Sequence, residues 1–194
     1  CSPSREKSVS PLLTPEVKKQ VDELYERMTV EERVAQLCGI RPGAIMSKGK
    51  LSLEKCREKI PYGVGHVCQF ACALDLEPEE LRDFVKAFQS YLLNETPSGI
   101  PAIFHEEAIT GFAAKGATIY PQQLGVACTW NTQLAEQKTM QTADAMRAVG
   151  GTMALSPMVD LIRTAHWPRV EESYGEDAYP VSYTHLTLPT TERV

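Results

Sequence analysis

From Arg163 to Asp177 the sequence reads Arg-Thr-Ala-His-Trp-Pro-Arg-Val-Glu-Glu-Ser-Tyr-Gly-Glu-Asp. These residue types suit a polyhydroxylated ligand. Arg169 offers several donors in a fixed fork, a neighbouring carboxylate accepts from paired hydroxyls, and Trp167 presents an apolar face to the C–H side of a sugar ring. Surface loops whose charges only pair with one another share this composition, so the residues alone leave both readings open. A second chemical cluster, His105-Glu106-Glu107-Ala108-Ile109, begins like a zinc-protease helix, but position 109 is Ile where the second His would stand. His66, Cys68 and Cys72 lack a second ligand pair at matching distance, since Cys56 and Cys128 do not supply that spacing. Small buried thiols are the better reading, and neither a metal nor a cofactor is expected.

The elements that must carry these clusters are legible from periodicity and caps. Thr14 and Pro15 open a helix to about Arg27, with Val17, Val21, Leu24 and Met28 as its apolar stripe. Thr29 to Glu32 reads as a capping box for a second helix that buries Val30, Val34 and Leu37. From Ile40 to Glu58 a loop with a short helix is expected, followed by a buried strand from Gly63 to Val67. Pro78 starts a long helix to about Leu93, with Leu81, Phe84, Val85, Phe88, Tyr91 and Leu92 at core spacing. Ile100 to Phe104 reads as a strand covered on both faces, and Asn131 caps a helix that Gly150 and Gly151 end. Met153 to Asp160 supplies another strand. The alternation predicts βα units with a parallel sheet. His105, Glu106 and Glu107 then follow one strand and the 163–169 loop follows another. In such sheets the working residues sit just past the carboxyl ends of the strands.

The 163–177 segment resembles the R-x-x-x-W-x-R-V-E-E-S-[FY]-G-E-D signature in the N-terminal domain of glycoside hydrolase family 3, the β-glucosidase and β-xylosidase family. Upstream blocks resemble the same family in its own order: Met28 to Leu37, Ile100 to Phe112, Gly116 to Gly125 and Ala127 to Asn131. The resemblance runs from about Leu24 to Tyr179. It implies an α/β fold, a partial (β/α)8 TIM-type barrel of which the chain holds the N-terminal portion. A complete barrel needs ~250 residues, and the chain has 194.

The resemblance also implies roles. Where most members have an aspartate accepting from sugar hydroxyls, this sequence has Glu107, with the same chemistry and one more methylene of reach. Arg169 stands at the family arginine that grips the same sugar. Against the common R-D-P-R-W-G-R pattern, positions 164, 165, 166 and 168 are Thr164, Ala165, His166 and Pro168. The implied substrate-binding set is Glu107, Arg169, Trp167 and His166, and the implied substrate a β-linked oligosaccharide or glycoside. The implied activity is an exo-acting β-glucosidase or β-xylosidase that works with retention through a glycosyl-enzyme intermediate. The Lys-His pair, the nucleophilic aspartate and the general acid are expected beyond Asp177, so no catalytic residue is assigned here. Glu107 and Glu172 are not taken as a catalytic pair, because the chain has 25 acids and both stand where the family binds or supports. The alternative from another class is a non-catalytic carbohydrate-binding surface protein.

Composition excludes other classes. With 43% hydrophobic and 23% charged residues and a formal net charge of −5, the chain has no basic stripe for nucleic acid and no apolar run near the ~20 residues of a membrane span. Cys1 is the residue type that bacterial lipoproteins acylate, which makes it a candidate lipid anchor on an exported, periplasmic or membrane-anchored protein. The expected organisation is a spacer over 1–14, the barrel portion over 15–180 and a non-native tail over 181–194, whose Val181 to Leu186 run resembles a translated sequencing adapter. The chain alone is expected to release no nitrophenol from aryl β-glucosides or β-xylosides. Hydrolysis by purified chain that disappears in Glu107→Ala would overturn this.

Overall fold

The computed structural model describes residues 14–177. Cys1, nearly all of the expected spacer and the 181–194 tail lie outside them. Helix α1 (Pro15–Arg27) starts where proline presets φ and the Thr14 hydroxyl accepts from Val17 N. Helix α2 (Val30–Gln36) opens on the expected capping box: Thr29 N donates to Glu32 Oε2 at 2.7 Å and Glu32 N to Thr29 Oγ1 at 3.3 Å. Strand β1 (Gly39–Ile40) follows, then a 3-10 turn and a small antiparallel hairpin of β2 (Met46–Ser47) and β3 (Lys50–Leu51). Helix α3 (Leu53–Lys59), strand β4 (His66–Cys68), helix α4 (Pro78–Glu95) and strand β5 (Ile103–Glu107) come next. Helices α5 (Gln123–Ala127) and α6 (Thr132–Ala148) lead to strand β6 (Met153–Leu155).

The main sheet has the order β1-β4-β5-β6 and every pairing is parallel. Register sets its two faces, because successive side chains point to opposite sides. His66 pairs with Ile103 and Cys68 with His105, while His105 pairs with Met153 and Glu107 with Leu155. These residues share one face. Val67, Phe104 and Glu106 share the other, which α4 covers. All six positions expected from the periodicity of α4 are buried. Phe104 sits among Phe70, Phe84 and Phe88 in edge-on contacts at 5.3, 6.4 and 5.9 Å.

Several expectations are corrected. The strand expected at 63–67 pairs as β4 from His66, because Gly63 has φ +84° and Gly65 is spent on packing beneath the end of α2. The strand expected at 100–104 lies three residues later. Pro101 has no N–H to donate, and both polar groups of the Ala102 backbone are taken by the Gln89 amide at 3.0 and 2.8 Å. Nor is β5 covered on both faces: Phe104 is fully buried while Ile103 is 41% exposed. The strand expected from 153 to 160 ends at Leu155, two residues before Pro157. In α2 the expected apolar stripe is not inside; Val30 is 68% and Leu37 86% exposed, and the buried side chain is Glu32. In α1 no side chain is buried, although Met28 just after it is. Both helices are secured by caps whose hydrogen bonds close locally, which forms a helix without choosing the face that packs. None of the helices among the described residues is long and apolar enough to cross a membrane.

Gly65 N donates to Ala35 O at 3.0 Å, and a Cβ on Gly65 would meet Gln36 O at 1.9 Å. Gly43 has nothing within 4 Å of such an atom. Gly65→Ala is therefore expected to lower the urea midpoint strongly, by about 2 kcal/mol or more, and Gly43→Ala to leave it within about 0.5 kcal/mol. Equal midpoints for the two variants would count against this docking of α2 on the sheet.

Candidate functional site

The site begins with the pleat of β5. Consecutive residues on a strand face opposite sides, so Glu106 and Glu107 cannot do the same job. Glu106 is fully buried. Its Oε2 accepts from Ala71 N at 2.8 Å and Cys72 N at 2.9 Å, and its Oε1 accepts from Glu107 N at 2.8 Å. Three backbone donors satisfy this buried carboxylate and tie the turn after β4 to the end of β5. Glu107 is half-buried on the open face at the carboxyl end of β5, where Gln69 Nε2 reaches its Oε1 at 3.4 Å. His105, expected just past the strand, lies within it. Its carbonyl accepts from Gln69 N at 2.9 Å, and its ring centroid is 5.6 Å from that of His66. Burial, then the charge of His66, lowers its pKa and favours the neutral imidazole.

Glu107 lines a cavity of about 170 Å³ together with Thr110, Gly111, Gln122 and Glu172. Arg169, at the start of the 3-10 turn Val170–Glu172, donates from Nε to Glu172 Oε2 at 2.9 Å. The hydrogen bond that Arg169 donates to Glu172 is the largest cause raising its pKa, and the charges of Glu172, Glu107 and Asp160 add to it. Glu172 thus shares the cavity with Glu107 and holds Arg169, which does not itself line it. His166 is exposed on a turn where its N–H donates to Thr164 Oγ1 at 3.3 Å, and Trp167 is half-buried. Neither lines this cavity.

Two side chains fix the loops around it. Lys138 is buried on α6, and its Nζ donates to Ile109 O at 2.7 Å and Pro121 O at 3.1 Å, pinning both ends of the loop that follows β5. Gln123 accepts from Met158 N at 3.1 Å and donates to Ser156 Oγ at 3.3 Å, joining α5 to the segment after β6. A larger cavity, about 420 Å³ between α6 and β6, is lined by Lys138 and Gln123 but by none of the four expected binding residues. Sequence reading passed over Gln69, Glu172 as the partner of Arg169, and Lys138. Strand phase separates Glu106 from Glu107, and the buried positions Ala135, Lys138, Thr142 and Met146 recur at helical spacing. A lysine in such a stripe was the available signal.

The match to the glycosyl hydrolase family 3 N terminal domain spans residues 29–188. The chain belongs to that family. It is 30% identical over 170 residues to a putative beta-xylosidase of Formosa agariphila, covering 84% of this chain and 22% of that protein. It is 32% identical over 180 residues to a periplasmic beta-glucosidase of Salmonella typhimurium, covering 91% and 21%. Among solved structures, a β-glucosidase from Erythrobacter marinus superposes with a TM-score of 0.77 at 30% identity, over 88% of this chain and 22% of that one. A mutant β-glucosidase from Listeria innocua in complex with laminaribiose gives 0.67 at 25%, over 88% and 23%. The chain spans about a fifth of the length of these family 3 relatives. Its parallel sheet and flanking helices are part of the family's TIM-type barrel.

Burial lowers the Lys138 pKa from its ordinary 10.5 to about 8. The folded state therefore gives up this proton at lower pH than the unfolded chain does. Below pH 8 the full cost of burying the charge is present, and stability gains as pH rises from about 8 towards 10.5. Relative to Lys138→Met, the wild type is expected to gain urea stability across that window. A difference that stays flat with pH would refute it.

Proposed function

We propose that this chain is the sugar-gripping part of an exo-acting β-glucosidase or β-xylosidase that hydrolyses O-glycosyl bonds with retention in the whole protein. The placement of Glu107 and Glu172 on one small cavity at the strand ends, with Arg169 ion-paired to Glu172, carries the reading. A carboxylate acceptor and a guanidinium fork in such proximity suit vicinal hydroxyls, which offer a donor to one and an acceptor to the other. Arg169 is the more exposed of the ion pair and keeps donors for a ligand beyond those held by Glu172. Trp167 and His166 stand on the same loop as Arg169, and the indole would serve as an apolar platform for a sugar ring.

Binding, rather than bond cleavage, is the role of these four residues. Holding the sugar in one orientation lowers the entropic part of the barrier for groups elsewhere in the protein that attack the anomeric carbon and protonate the leaving oxygen. Names of relatives support the β-glycoside class: beta-xylosidase, beta-glucosidase and, in one solved complex, a protein bound to laminaribiose. A periplasmic setting follows the Salmonella relative, and Cys1 as a lipid anchor would hold the protein at a membrane surface.

Titration of the chain with methyl β-glucoside and methyl β-xyloside, followed by NMR, tests the reading. Glu107→Ala is expected to weaken binding by roughly 10- to 100-fold, the worth of charge-assisted hydrogen bonds. Glu107→Asp should retain binding but change the ratio between the two sugars, because the carboxylate withdraws by one methylene. Binding by the wild type that Glu107→Ala leaves intact would remove Glu107 from the site.

A further inference from the structure

We propose that Gln69 is a specificity-determining residue that grips one sugar hydroxyl together with Glu107, held in place by Glu106 as a positioning residue; this rests on the sugar-site reading above. Gln69 immediately follows β4, and its side-chain amide meets Glu107 Oε1 at 3.4 Å. That contact is long, so the amide stays available to a ligand beside the carboxylate. An amide offers two donors and an acceptor, whereas Glu107 offers only acceptors. Side by side they can engage a hydroxyl as donor and acceptor at once, which a lone carboxylate cannot do.

The backbone supports a built role. Gln69 has φ +51°, in the left-handed region that costs a side-chain-bearing residue stability and that glycine adopts freely. The conformation is imposed from both sides. Gln69 N donates to His105 O at 2.9 Å, and two residues later Ala71 N and Cys72 N are captured by the buried Glu106 carboxylate. The same carboxylate takes Glu107 N. One buried group thus sets the backbone under both members of the pair, and any shift of it moves Gln69 relative to Glu107. A glycine at 69 would relieve the backbone and lose the amide.

The test uses the 194-residue chain, methyl β-glucoside and its monodeoxy analogues, with affinities from NMR titration. Gln69→Ala is expected to weaken the parent glucoside about tenfold and one monodeoxy analogue hardly at all, since that analogue has already lost the hydroxyl concerned. Gln69→Gly should lose the same affinity while raising the melting temperature, a combination that a purely structural glutamine would not give. Glu106→Gln keeps the shape but replaces an acceptor with a donor; it should shift the Gln69 side-chain amide resonances and reproduce the tenfold loss. If Glu107→Ala abolishes binding and Gln69→Ala matches wild type for every analogue, this inference fails and the sugar site stands. An equal loss across the whole analogue series, or a fall in melting temperature for Gln69→Gly, likewise overturns it. Absence of any glucoside binding by the wild type sinks the sugar-site reading and this inference with it.

Discussion

Everything at the strand ends depends on the packing of α4 against one face of the sheet. Phe104 is enclosed by Phe70, Phe84 and Phe88, and this contact fixes which side of β5 is inside. Once Phe104 points at the helix, the pleat sends Glu106 the same way and Glu107 the other. A one-residue slip of β5 would exchange the two carboxylates, burying Glu107 and exposing Glu106. The aromatic cluster resists such a slip because close-packed rings have no second arrangement of equal volume.

Glu106 converts that core decision into site geometry. A buried carboxylate without partners would be costly, and here three backbone N–H groups converge on it. The donors come from two successive strand ends, so the group staples the turn after β4 to the end of β5. Lys138 does the corresponding work for the next connection, where two carbonyls at either end of a loop share one ammonium. The loop bearing Thr110 and Gly111 is therefore held by an acid on one side and a base on the other. Both are polar groups inside, and both spend hydrogen bonds on backbone rather than on each other.

The open face of the sheet has a different character. Ile103 and Met153 are each 41% exposed there, beside His66, Cys68 and His105. In the family's barrel, this is the face that turns towards the other strands. The exposed Val30 and Val34 of α2 and its C-cap Leu37 likewise lie on surface that local structure did not commit to the core.

Read alone, the sequence settled α1, α2, α4 and α6 and their starts, but not α5. Thr14, Thr29 and Asn131 are the caps they were expected to be, and α4 buries its six periodic side chains, because caps and 3.6-residue periodicity are properties of neighbouring residues. Arg169, Trp167 and His166 stand in one contiguous motif and Glu107 in a separate block, and of these four only Glu107 lines the small cavity. Strand ends were less legible: β5 was displaced three residues by a glutamine on another element, and a long-range hydrogen bond leaves no local signal. Only tertiary structure decided that Gln69 and Glu172 lie beside Glu107 and that Lys138 pins the loop after it. Their separations are irregular along the chain and become short only when parallel strands lie side by side, since register, not sequence spacing, sets which strand ends meet.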